Sequence, residues 1–197
     1  MKLYYNAFSP FARKVMICAH ENGMLDAIEL VDTDTLDEGL RRINPLCKIP
    51  VLELDDGLAL YDSRVICEHL DGVGCGAMIP KGGPERLRAR LLEALGDGIA
   101  DATLRRVMEL RRSEHDRHID VIERQTPAMV AGLAEAQRLI DPGQFTVGEA
   151  AIMAALIYID LRLPQDQWRA GFPALAGWFA ETARRPSLPG TGAVLAP

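Results

Sequence analysis

A glycine- and proline-rich stretch from Asp71 to Pro84 divides this chain into two parts that cannot be built from the same elements. Before it, the pattern of apolar and turn-forming residues changes every ten residues or so. Beyond it, strand-like runs disappear and helix-forming residues take over. The 197 residues are enough for two small domains, each with its own core. The order therefore predicts a mixed α/β unit followed by an all-helical one.

In the first part, Lys2 to Tyr5 reads as a short strand. Ser9-Pro10 predicts a helix start, with Ser9 as N-cap and Pro10 at the first helical position, and Gly23 ends that helix. Ala27 to Val31 is a second strand. Val51 to Leu54 and Leu58 to Tyr61 flank Asp55-Asp56-Gly57, a hairpin turn, and a helix follows from Asp62 or Ser63 to about Leu70. The resulting order, βαβαββα, fits a parallel first pair joined by a crossover and an antiparallel hairpin. Thioredoxin-like domains are built this way.

In the second part, Arg86 to about Arg112 predicts a long helix. Glu114 to Ile140 predicts another helical stretch, in which Thr126-Pro127 either starts a helix or kinks one. Thr146 and Glu149 form a capping box ahead of Ala150 to Ile159, a run apolar on every side and so expected at the centre of the domain. Pro173 to Arg184 is a last helix, and the tail from Pro186 to Pro197 is irregular. The boundaries expected are residues 1–72, a linker over 73–84, and a helical domain over 85–197.

Hydrophobic residues make up 48% and charged residues 25%, the balance of an ordinary globular protein. A net charge of −6 argues against a nucleic-acid partner, which calls for clustered Lys and Arg. The longest apolar run is about half a membrane span, and the N-terminus carries no signal-peptide pattern. Cys18, Cys47, Cys67 and Cys75 show neither C-x-x-C nor zinc-ligand spacing. Reduced thiols in a cytoplasmic protein, with no bound metal, are expected.

Three segments carry chemistry. Tyr5-Asn6-Ala7-Phe8-Ser9-Pro10-Phe11-Ala12-Arg13-Lys14 places a hydroxyl where the first strand passes into the first helix. Thioredoxins have Cys-x-x-Cys there; Ser9-Pro10-Phe11-Ala12 cannot exchange dithiols, but it can hold a thiolate that arrives from outside. Lowering a thiol from about 8.5 to about 6.5 takes roughly 2.7 kcal/mol. A hydroxyl donor to an anion supplies about 1.5–3 kcal/mol and a helix N-terminus about 0.3–1 kcal/mol. Taken alone, Ser9 reads better as a plain cap, and the other two segments are what favour a thiolate partner. Asn44-Pro45-Leu46-Cys47-Lys48-Ile49-Pro50-Val51 puts a proline just before a strand, where a cis bond would turn the main chain of Ile49 outward to pair with a peptide; a trans proline is the alternative. Tyr61-Asp62-Ser63-Arg64 offers an acid, a hydroxyl and free N–H groups at a helix start, suited to both ends of an amino acid or simply to capping.

Together with F-T-V-G-E-A in the helical half, these segments resemble the glutathione transferases, specifically the serine-using bacterial beta/theta/zeta-like sort, over nearly the whole chain. The resemblance implies that Ser9 donates to the glutathione sulfur. It implies that Ile49, before a cis Pro50, pairs with the cysteinyl part, that Asp62 and Ser63 hold the γ-glutamyl end, and that Lys48 approaches the glycyl carboxylate. Phe11 joins the binding set, and Phe8 or Phe11 faces the electrophile. It further implies a homodimer, with glutathione as co-substrate, a small hydrophobic electrophile and no prosthetic group. Cys47 departs from the usual Gly and Asp62 from the frequent Glu. Peroxidase, isomerase or dehalogenase chemistry on the same site remains open, as does a non-catalytic protein that binds glutathione or another protein. His115 and His118 share one face of the expected helix but lack a third ligand, so a solvated surface is expected there. Asp97, Gly98 and Asp101 fall on the long helix, equally placed to face the cleft or not.

Overall fold

The computed structural model describes residues 1–33 and 38–189. Its first part runs β1 (Lys2–Tyr5), α1 (Pro10–Glu21), β2 (Glu29–Asp32), α2 (Glu38–Ile43), β3 (Val51–Glu53), β4 (Ala59–Leu60) and α3 (Ser63–Val73). The strands lie in the order β2-β1-β3-β4. β1 and β2 are parallel, with Leu3 opposite Leu30, and α1 is the crossover that a parallel pair needs. β3 runs antiparallel to β1, and β4 antiparallel to β3. Gly57, at φ +86°, makes the turn between β3 and β4, where a side chain would be strained. This is the thioredoxin-like arrangement expected. β2 starts later than Ala27, because Leu25–Ala27 closes a 3₁₀ turn that Ile28 caps by donating to the Leu25 carbonyl.

The second part is wholly helical: α4 (Gly83–Leu110), α5 (Ile119–Leu139), α6 (Val147–Arg162), α7 (Trp168–Gly171) and α8 (Pro173–Thr182). Helix reaches into both ends of the Gly/Pro stretch. α3 continues to Val73, where Gly74 caps it by donating to Leu70, and α4 starts at Gly83 with Pro84 in its first turn. The connector between them is pinned. The Asp71 carboxylate accepts from the N–H of Met78 (2.7 Å) and of Ile79 (3.2 Å), and Asn22 accepts from Ala77 (3.0 Å). Pro127 lies inside α5, so the helix does not begin there. His115 falls in a 3₁₀ turn and His118 precedes α5, so the two do not share a helix face, contrary to the sequence expectation. The tail beyond Pro189 lies outside the described residues.

α6 forms the core of the second part, buried from Val147 through Ile159. Its capping box forms as expected: Thr146 accepts from Gly148 N–H at 3.2 Å, and Glu149 accepts from Thr146 N–H at 2.9 Å. α4 crosses α6 at glycines. A Cβ on Gly96 would lie 2.6 Å from the Ala151 carbonyl carbon, and one on Gly148 would lie 2.5 Å from Leu92 Cβ. α1 packs against α3 on one side and α6 on the other, joining the sheet to the helical part.

Candidate functional site

The turn between β1 and α1 is built by its own polar groups. Phe8 N–H donates to Asn6 Oδ1 (3.0 Å), and Ser9 N–H donates to the Asn6 carbonyl (2.9 Å). Arg13 reaches back one turn to donate to the Ala7 carbonyl at 2.7 Å. Ser9 Oγ accepts from Ala12 N–H at 3.2 Å, as an N-cap should. That bond uses a lone pair and leaves the hydroxyl proton without an acceptor among the described residues. The first turn of α1 contains no acid, so nothing there repels an incoming anion.

A cleft of about 540 Å³ opens beside this turn. Phe11, Lys48, Ile49, Pro50, Asp62 and Ser63 line it together, with Tyr61, Arg64, Asp97 and Asp101 among the remaining walls. Ser9 is not one of its lining residues. Asp97 and Asp101 do face the cleft; Gly98 does not line it.

The Ile49–Pro50 bond is cis. Neither the N–H nor the C=O of Ile49 is bonded to another described residue, which leaves a peptide edge available to a ligand. Asn44, almost fully buried, sets this loop. Its Oδ1 accepts from Leu46 N–H (3.0 Å) and its Nδ2 donates to the Lys48 carbonyl (2.8 Å). Cys47 sits between them at φ +53°, in the left-handed region.

At the start of α3, Asp62 caps the helix by accepting from Arg64 N–H (3.0 Å), while its other oxygen accepts from the Arg64 guanidinium (2.9 Å). Partial burial pushes the Asp62 carboxyl up, but these Arg64 bonds outweigh it and hold the pKa below the ordinary value. Ser63 is buried, lines the cleft and makes no hydrogen bond with its hydroxyl to another described residue.

One wall joins the two parts of the chain. Lys14 of α1, with no exposed side-chain surface, pairs with Glu93 (3.1 Å) and Asp97 (2.8 Å) of α4. Arg64 lies 3.9 Å from Asp97 on the cleft side. Burial raises the Asp97 carboxyl despite the attraction of Lys14. Asn44, Arg64 and Lys14 escaped the sequence reading. Each acts through a partner distant along the chain or through a loop whose shape no motif announces. Among the described residues no group of three or more His, Cys, Asp or Glu side chains is placed to hold a metal.

This cleft at the end of a thioredoxin-like sheet, walled by a helical domain, defines a class. Residues 8–73 match the glutathione S-transferase N-terminal domain and residues 112–181 the C-terminal domain. The chain belongs to the glutathione S-transferase family. It is 33% identical over 183 residues to the uncharacterized GST-like protein YibF of Escherichia coli strain K12, covering 89% of this chain and 90% of YibF. A glutathione transferase family member from Pseudomonas fluorescens Pf-5, solved with bound glutathione, superposes with a TM-score of 0.91 at 37% identity, over 96% of this chain and 97% of that one. The same family member solved with bound S-(propanoic acid)-glutathione gives 0.87 at 36% identity, over 97% and 98%. A stringent starvation protein A homolog from Histophilus somni is 37% identical over 71 residues, which span 36% of this chain and 33% of that protein.

Proposed function

We propose that this chain is a cytoplasmic glutathione transferase of the serine-using kind, acting in detoxification. Glutathione lies in the cleft, Ser9 donates a hydrogen bond to its sulfur, and the thiolate attacks a small hydrophobic electrophile. The sulfur–carbon bond forms as a leaving group departs or as a double bond takes up a proton. Glutathione is the co-substrate and no prosthetic group takes part. The observation that carries this reading is the lining of one cleft by the unpaired main chain of Ile49, the Ser63 hydroxyl and the start of α3, with Phe11 two residues beyond the capping Ser9.

The tripeptide fits these groups by chemistry. The Ile49 N–H and C=O pair with the cysteinyl unit. Ser63 and the N–H groups of α3 take the γ-glutamyl carboxylate. Asp62, held ionised by Arg64, keeps lone pairs for the γ-glutamyl ammonium. Lys48, exposed at the rim, meets the glycyl carboxylate. Residues 1–72 act as the glutathione-binding domain, 73–84 as a linker and 85–197 as the helical domain. A homodimer is supported by Val65, Leu87 and Leu91, exposed apolar residues of α3 and α4 near a hollow of about 640 Å³ lined by Leu60, His69 and Ala94. Sedimentation velocity distinguishes that dimer from a monomer.

The test is a pH titration of bound glutathione followed by thiolate absorbance. In the wild type the thiol pKa falls by about two units, and in Ser9→Ala it climbs back toward the free value. Identical titrations in the two proteins would return Ser9 to a plain cap. The likeness to a stringent starvation protein A homolog favours a second reading, a non-catalytic binding protein, for which glutathione binds with an unshifted thiol.

A further inference from the structure

Next to Ser9 in the chain, Phe8 is half exposed, and the guanidinium of Arg162, at the end of α6, stacks 4.2 Å from its ring centre. Arg162 forms no ion pair with any described residue, and its Nε is buried without a hydrogen-bond partner. Arg64, Arg88, Arg90, Arg106, Arg169 and Arg185, by contrast, each meet a carboxylate.

A second cation converges on the same place. Arg111, at the end of α4, also pairs with no described carboxylate. Burial raises the Tyr158 hydroxyl, and Arg162 and Arg111 both lie close enough to oppose that rise. Helical spacing carries the cleft-facing side of α4 from Asp97 and Asp101 through Leu104 and Met108 to Arg111. Met108 is one of the few large apolar side chains left exposed. Phe8 and the end of α4 thus bring exposed apolar groups, Phe8 and Met108, together with two cations, Arg162 and Arg111, that meet near Tyr158.

We propose that the electrophile of this enzyme carries a carboxylate, which Arg162 and Arg111 hold while Phe8 and Met108 cover its carbon skeleton. This rests on the reading of the chain as a glutathione transferase and names its acceptor class. Guanidinium groups without a carboxylate partner, half-buried at Arg162 and exposed at Arg111, bind a carboxylate through charge-assisted bonds. They also offset the repulsion between an anionic acceptor and the thiolate. With an α,β-unsaturated acid, the glutathione sulfur bonds to the β-carbon, the π pair moves to the α-carbon, and that carbon takes the proton released when the thiol ionised. No bond to a leaving group breaks, and no oxidant or reductant is needed.

The experiment is calorimetric binding of glutathione, of S-(2-carboxyethyl)glutathione and of its isosteric amide, S-(2-carbamoylethyl)glutathione. The wild type binds the acid about tenfold tighter than the amide, the ratio given by about 1.4 kcal/mol of charge-assisted bonding. Arg162→Gln and Arg111→Gln each shrink that ratio while glutathione itself binds as before, and Arg162→Lys restores part of it. A wild-type ratio near one, or a preference untouched by both substitutions, overturns the proposal while the transferase reading stands. If glutathione does not bind at all, that reading falls and takes this one with it.

Discussion

The Lys14 ammonium of α1 lies 2.8 Å from the Asp97 carboxylate of α4, with Glu93 at 3.1 Å on its other side. One buried cation from the sheet domain pairs with two acids of the helical domain, which Arg90 and Arg64 also approach, so the joint is held by charge as well as by packing. Lys14→Met leaves Glu93 and Asp97 buried without it and costs about 3–5 kcal/mol, read as a lower urea midpoint. Burial works against the Lys14 charge, but Cys67, Asp97 and Glu93 overcome it and raise the pKa above 10.5. A cation raised on folding contributes its full stability below its ordinary pKa and loses it as pH rises through the higher folded value. Wild-type stability therefore drops in alkaline solution above pH 10.5, and Lys14→Met lacks that component.

Cys47 holds φ at +53°, a conformation that costs a residue with a Cβ about 1–2 kcal/mol. By the family resemblance Cys47 stands where a glycine is usual, and a positive φ is a backbone reason for a glycine there. Cys47→Gly relieves the strain and gives back part of the gain as unfolded-chain entropy. The expected net effect is a rise of about 0.5–1 kcal/mol in stability by urea denaturation. A loss of stability would show that the thiol packs well enough to outweigh the backbone.

What the sequence made legible were signals that act over a few residues. Ser9-Pro10, Thr146 with Glu149, and the Asp55-Asp56-Gly57 turn each close within one turn of chain, and each forms where expected. Ile49-Pro50 is legible only as a choice, since a proline before a strand permits two isomers. The joint was not legible at all. Lys14 and Asp97 are 83 residues apart, and nothing in either segment names the other. Pro127 shows the limit from the opposite side. Its missing N–H suggests a helix start or a kink, and its place inside α5, which begins at Ile119, excludes the start.

Glu21, at the end of α1, accepts from Arg185 at 2.9 and 2.8 Å and from Ser187 at 2.6 Å, tying the C-terminal segment to the first domain. Burial pushes the Glu21 carboxyl up, but these bonds win and the pKa falls below 4.5. An acid lowered on folding stabilises above its unfolded pKa and loses that stability as pH falls through its folded one. Glu21→Gln should lose about 1.5–3 kcal/mol at pH 7. It should also unfold with a shallower pH dependence below pH 4.5 than the wild type. Equal acid sensitivity in the two proteins would show that other carboxylates dominate.

Arg13 is almost fully buried one turn beyond Ser9, donates to the Ala7 carbonyl at 2.7 Å, and has a second nitrogen, Nη1, without any partner. Burial lowers its pKa, although not out of the charged range at neutral pH, and no described carboxylate compensates the charge. Such a cation does two things. It fixes the turn that presents the Ser9 hydroxyl, and it sets a positive potential at the start of α1. Arg13→Met removes an unfavourable burial along with a hydrogen bond, so stability changes by only about 1 kcal/mol. The thiol of bound glutathione loses the positive potential, and its pKa rises by about one unit even with Ser9 intact, equivalent to about 1.4 kcal/mol. Arg13→Lys keeps the charge without the fork, so its thiol pKa lies between the two. Thiolate absorbance against pH separates the three proteins. An unshifted value in Arg13→Met would confine Arg13 to holding the turn.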